Sequence, residues 1–120
     1  MKGDDLAERM LDFAVRVMKL VGALPKSFVG KYVALQLLRS ATATGSNYEE
    51  ARGAESKADF VHKLSVSWKE VREAHFWLIL IHRSSLMKPQ LVGKLLSEAD
   101  ELRRILGKSL ETARKRTTQA

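Results

Sequence analysis

Read at the 100° per residue of an α-helix, the first 22 residues separate into two faces. Leu6, Met10, Phe13, Ala14, Val17, Leu20 and Val21 gather on one side, and Asp4, Asp5, Glu8, Arg9, Asp12, Arg16 and Lys19 on the other. This is the pattern of an amphipathic helix facing a core. The C-terminal part repeats it, with Leu91, Leu95, Ala99, Leu102, Leu106 and Ala113 as the apolar stripe. Alternation of period two is absent over any run of several residues, so no sheet is expected. Breaks fall at Leu24-Pro25-Lys26, at Arg52-Gly53-Ala54-Glu55-Ser56 and at Met87-Lys88-Pro89. Four helices are therefore predicted, over 4–22, 29–51, 57–86 and 90–115, in one domain covering 1–116 with a loose tail at 117–120.

The two middle segments carry more than a simple stripe. In the second, Ala34, Leu37, Ala41, Gly45 and Tyr48 share a face dominated by small residues, which lets a neighbouring helix approach closely. Thr42, Thr44 and Gly45 lower its intrinsic helix propensity, so tertiary packing must offset them. The third opens on a capping pair, Ser56 and Asp59. It then shows a broad stripe of Phe60, Val61, Leu64, Trp68, Val71, Leu78 and Ile79, and a second one of Val66, Trp77 and Ile81 with Glu70 and Ala74 between. Two apolar stripes imply two packing surfaces. The first is assigned to the core of the bundle and the second to an oligomer interface made by Val66, Trp77 and Ile81; central burial of this helix within a monomer is the alternative.

At 120 residues the chain suits a single core to which an oligomer interface would add substantial burial. It has no cysteine, which removes disulfides, thiolate metal sites and thiol nucleophiles and fits a reducing cytoplasm. The acids in MKGDDLAERMLDF occupy the place where a signal peptide needs a basic flank and an apolar run. No apolar run is long enough for a membrane span. A soluble, unexported, cytoplasmic protein is expected.

The formal charge of +7 is concentrated toward the C-terminus, where Arg103, Arg104, Lys108, Arg114, Lys115 and Arg116 face only Glu111. Such a cluster draws polyanions through phosphate neutralisation and counterion release. A solvated helix end whose cations complement the helix dipole is the structural alternative. Lys69, Arg72 and Arg83, on the polar side of the third helix, form a second candidate patch.

Tests for catalysis and metal binding find no constellation. SATATGSN lacks the glycine pattern and preceding strand of a phosphate loop, and Gly107-Lys108-Ser109 has Leu102 where the upstream glycine belongs. His75 and His82 lie on the apolar stripe and His62 opposite it, without the paired Glu-x-x-His motifs of a di-iron bundle. Glu70 and Glu73, interleaved with Lys69 and Arg72, read as a salt-bridging face rather than an acid and base. No catalytic residue, metal ligand or cofactor is assigned, and the protein is read as a non-enzyme.

Leu24-Pro25, Gln36-Leu37-Leu38-Arg39-Ser40, Gly45, Asn47-Tyr48, Glu50-Ala51, Ser56, Asp59-Phe60, His62-Lys63-Leu64, Lys69-Glu70, Arg72-Glu73 and Trp77-Leu78 resemble the four-helix-bundle family encoded in intervening sequences of bacterial 23S rRNA genes. Where relatives read Gly-Thr-Ser-Ile-Gly-Ala-Asn, this chain has Ala41-Thr42-Ala43-Thr44-Gly45-Ser46-Asn47. The resemblance implies an all-α, antiparallel up-and-down four-helix protomer that assembles as a ring-shaped homo-oligomer, a pentamer. It is distantly similar to the accessory protein of diversity-generating retroelements, which implies a reverse transcriptase as a further possible partner.

Two functions follow as expectations. The first is a non-enzymatic oligomeric scaffold that binds structured RNA or other nucleic acid electrostatically. The second is a protein-binding adaptor ring whose charge serves solubility. Arg39, Asn47, Glu50 and Glu70 are expected to make polar bonds between helices rather than act on a substrate.

Overall fold

The computed structural model describes residues 3–119, with side chains as far as Arg116. Four helices account for nearly all of them: α1 (Gly3–Gly22), α2 (Phe28–Arg52), α3 (Lys57–Arg83) and α4 (Pro89–Gln119). Short loops make consecutive helices antiparallel neighbours. α2 packs on α1 and α3, α3 packs on α4, and α4 closes the circuit on α1 through the sparsest contact. The result is an up-and-down bundle of 51 × 21 × 20 Å. No helix among the described residues is long and apolar enough to cross a membrane.

Each helix begins and ends for local reasons. Ser27 caps α2 by accepting from the Gly30 N–H at 3.1 Å, and Ser56 caps α3 by accepting from the Asp59 N–H at 3.0 Å. The Asp59 carboxylate accepts not from Ser56 but from the Glu55 N–H, at 3.4 Å. Pro89 opens α4, where its missing N–H costs nothing. α3 stops at Arg83, short of the predicted 86, because Ser85 turns into the left-handed region at φ 57°. Leu24 and Met87, from the first and last loops, are both buried and plug the same end of the bundle. α4 runs helical to Gln119, into the segment expected to be a loose tail, with a Glu111–Lys115 pair one turn apart supporting its last turns. Ala120 lies outside the described residues.

The core follows a repeat of 3.5 rather than 3.6 residues. The fully buried seam of α3 is Leu64, Ser67, Val71, Ala74, Leu78 and Ile81, in alternating steps of three and four. α4 matches it with Val92, Leu95, Ala99, Leu102, Leu106 and Leu110, and α1 with Leu6, Met10, Phe13, Val17 and Leu20. Steps of this kind keep one face on a neighbour inclined by about 20°. Full burial of each large apolar side chain contributes about 1.5–3 kcal/mol.

This seam corrects several assignments. Ile81, expected at an oligomer interface, has no exposed surface and belongs to the protomer's own core. Ser67 and Ala74, too small to mark a stripe by themselves, join Leu64, Val71 and Leu78 to Ile81 in one buried line, so Ile81 faces the core and not the surface of Val66 and Trp77. Phe60, Val61, Trp68 and Ile79 are half-buried flanking residues rather than core. In α4, Leu91 is 58% exposed, and Val92 beside it takes the buried place.

Small residues do bring the helices close. A Cβ on Gly45 would stand 3.4 Å from the Met10 Cβ of α1, the distance of ordinary contact. Ser40, Thr44 and Ser67 are completely buried where α2 meets α3. Ser40 and Thr44 satisfy their hydroxyls on backbone carbonyls of their own helix, while Ser67 Oγ donates across to the Thr44 carbonyl at 2.7 Å.

Candidate nucleic-acid interface

The antiparallel register of α3 and α4 sets the first turns of α3 against the last turns of α4. Between them lies an open groove of about 800 Å³, walled by Phe60 of α3 and by Arg104, Ile105, Lys108, Ser109, Thr112, Ala113 and Arg116 of α4. A recess of about 270 Å³ adjoins it, where Lys57 and Val61 join Phe60, Ala113 and Arg116. Phe60, one turn before Leu64 on α3, is partly buried against the core and still contributes to the lining of the groove. The groove thus has an aromatic and aliphatic floor, a basic rim and no acidic lining residue.

The predicted basic residues do not act as one patch. Arg104, Lys108 and Arg116 converge on the groove, and Lys57, absent from the sequence reading, joins them. Arg103 and Arg104 both bind Asp100, Arg103 at 2.6 Å. Glu111 is therefore not the sole acid near the cluster. The pair of guanidiniums, Arg103 first, holds the Asp100 carboxyl down at about 2. Lys115 bonds Glu111 at 3.2 Å, and Arg114 does not line the groove. Lys69, Arg72 and Arg83 lie exposed along α3 outside it, with the Arg72 guanidinium 4.7 Å from the centre of the Trp68 ring in a cation–π contact.

His75 sits behind this face, 3.8 Å from Asp100. Burial lowers its pKa below the usual histidine value, against the opposing pull of Asp100, and Arg103 adds to the lowering. His62 and His82 are exposed. Among the described residues no group of three or more His, Cys, Asp or Glu is arranged to hold a metal ion.

The four expected interhelical polar residues divide. Arg39 of α2 reaches both Glu70, at 3.3 Å, and Glu73 of α3. Glu50 accepts from Lys63 of α3 at 3.4 Å. Asn47 is a correction: its amide donates to the Ala43 carbonyl at 2.8 Å, within α2 itself. The spacing of four residues puts that carbonyl directly in reach. Bonds from Trp77 and Arg39 overcome the effect of burial on Glu73, which alone would raise its pKa, and hold it below the usual glutamate value.

Two further surfaces are apolar. Trp77, half-buried, donates to Glu73 at 3.0 Å and meets Tyr32 and Phe76 edge-on, with ring centres 5.8 and 5.0 Å away. Phe28 and Leu80 add to the exposed surface of α2 and α3. Val66 is half-buried on α3. The other surface is a groove of about 630 Å³ between α1 and α2, with Leu11, Val15 and Met18 exposed along it.

Three comparisons bear on these features. The model of a family described as 23S rRNA-intervening sequence protein matches residues 4–108. A protein of unknown function from the S23 ribosomal protein family of Bacteroides thetaiotaomicron VPI-5482, known from its crystal structure, is 32% identical. The alignment covers 92% of this chain and 99% of that one, with a TM-score of 0.83. No curated protein matches this sequence.

Proposed function

Since the chain belongs to the 23S rRNA-intervening sequence protein family, we propose that it is a non-enzymatic scaffold, a ring-shaped homopentamer, that binds structured RNA or other nucleic acid by charge. The observation that carries the binding role is the groove between α3 and α4, whose rim of Arg104, Lys108 and Arg116 includes no acid. Phosphates neutralised there release counterions, a gain that depends on salt and not on sequence. Repetition of the groove around an assembly multiplies the attraction.

The assembly rests on the two apolar surfaces. Large exposed apolar patches on a small protein mark contact sites. Here they differ in shape, an aromatic ridge around Trp77 and a trough along Leu11, Val15 and Met18. Unlike surfaces that fit one another make a head-to-tail contact, which generates a ring when the rotation closes. The ridge also supports a second reading, an adaptor ring that presents aromatic side chains to a protein partner such as a reverse transcriptase.

Titration of the protein against a structured RNA at two salt concentrations tests the first reading. Affinity falling steeply with salt supports it, and no binding at low salt leaves the adaptor ahead. Light scattering tests the assembly: five subunits are expected, and a monodisperse monomer at micromolar concentration refutes it. Trp77→Ala should dissociate the ring with the protomer still folded, because interface aromatics dominate association.

A further inference from the structure

The groove between α3 and α4 has a feature that charge alone does not require. Phe60, partly buried against the core, still lends part of its surface to the floor of the groove and is the one aromatic among the described residues lining it. Lining the groove with it are three cations, of which Arg104 also pairs with Asp100, together with Ser109, Thr112, Ile105 and Ala113. Arg104, Lys108 and Arg116 are separated by one turn and then two along a single helix. At 1.5 Å per residue they span about 18 Å. A stacked strand places a phosphate about every 3.4 Å, so the row runs beside about five nucleotides.

We propose that this groove receives a single-stranded stretch of nucleic acid, its backbone along Arg104, Lys108 and Arg116 and one base stacked on Phe60. The inference rests on the nucleic-acid reading above and narrows it to unpaired strands, such as the loops of a structured RNA. Packed helices have axes about 8–10 Å apart, so a trough between two of them admits a base but not a duplex. Bases in a duplex already stack on one another and offer no free face to an aromatic ring. Every base has such a face, so stacking adds affinity without sequence preference. Ser109 and Thr112, which also line the groove, bring hydroxyls to it that can bond phosphate oxygens without reading sequence.

The experiment uses fluorescence anisotropy with three labelled probes of equal length: a single-stranded RNA, its duplex, and an abasic strand that keeps the phosphates. The intact protein should bind the single strand best and the abasic strand about tenfold more weakly, with the same salt dependence. Phe60→Leu keeps an apolar side chain and removes the ring. It should lose about tenfold for the single strand and nothing for the abasic one. Lys108→Gln should instead lower the salt slope by about one for both. Equal affinity for natural and abasic strands, or preference for the duplex, overturns the stacking site while the electrostatic reading stands. Absence of binding to all three probes at low salt overturns both. If Phe60→Leu lowers the melting midpoint so far that it cannot be assayed, the abasic comparison on the unaltered protein decides the matter alone.

Discussion

Ser67→Ala removes the single hydroxyl that crosses from α3 to α2 inside the core, and its cost can be worked from the geometry. The donor is completely buried and the bond to the Thr44 carbonyl is 2.7 Å long. That carbonyl, within α2, also accepts the helical N–H four residues on, so losing Ser67 leaves no orphaned acceptor. The desolvation penalty of about 1–3 kcal/mol for an unpaired buried group therefore does not apply. What is lost is the net worth of one neutral hydrogen bond, about 1 kcal/mol, with almost no change in volume. For a chain of 120 residues, an unfolding entropy of about 2.1 cal/mol/K per residue converts this to a fall of about 4 °C in melting midpoint. Calorimetry at matched protein concentration measures it, since assembly makes the midpoint concentration-dependent. Ser67→Val should do worse, by about 1–3 kcal/mol, because it forces a branched side chain between closely packed helices. A Ser67→Val protein as stable as Ser67→Ala would refute the close-approach argument.

Three further outcomes are expected. Gly30→Ala should destabilise the fold despite a propensity gain of about 1 kcal/mol: the new Cβ would lie 2.0 Å from the Pro25 carbonyl oxygen, and relieving that contact disturbs the Ser27 cap. A raised melting midpoint would show that the loop yields freely. Glu70→Gln should cost less than about 1 kcal/mol, because Arg39 is 46% exposed and keeps Glu73, so the bridge is a surface network and not a buried charge pair; urea titration reads the difference, and a loss above 2 kcal/mol would contradict it. His75 should titrate below the ordinary histidine value by NMR, and Asp100→Asn should lower it further by removing the opposing charge. With the folded pKa depressed, His75 contributes stability above the unfolded value near 6.5 that is lost as pH falls through the folded one. Asp100 follows the same sign lower down, its contribution fading from about pH 4 toward 2. A rise in the His75 pKa on Asp100→Asn would overturn this account.

Helix number, type and order were legible because they depend on local quantities: apolar spacing in α1, the Ser27 and Ser56 caps, and the Pro25 and Pro89 breaks. Polarity of the C-terminal half was likewise plain from composition. The seam was not, because Ser67 and Ala74 lie on it by virtue of what packs opposite, and hydrophobicity cannot say so. This is why Ile81 changed sides and why Asn47, adjacent to the α2–α3 contact, bonds its own helix instead. The groove was beyond reach for a related reason. Arg104, Lys108 and Arg116 lie on α4 while Lys57 and the aromatic floor come from α3, and only the antiparallel pairing of the two sets Lys57 and Phe60 beside Arg116. A sequence states which faces each helix has; the distance between residues on different helices exists only once those faces have been paired.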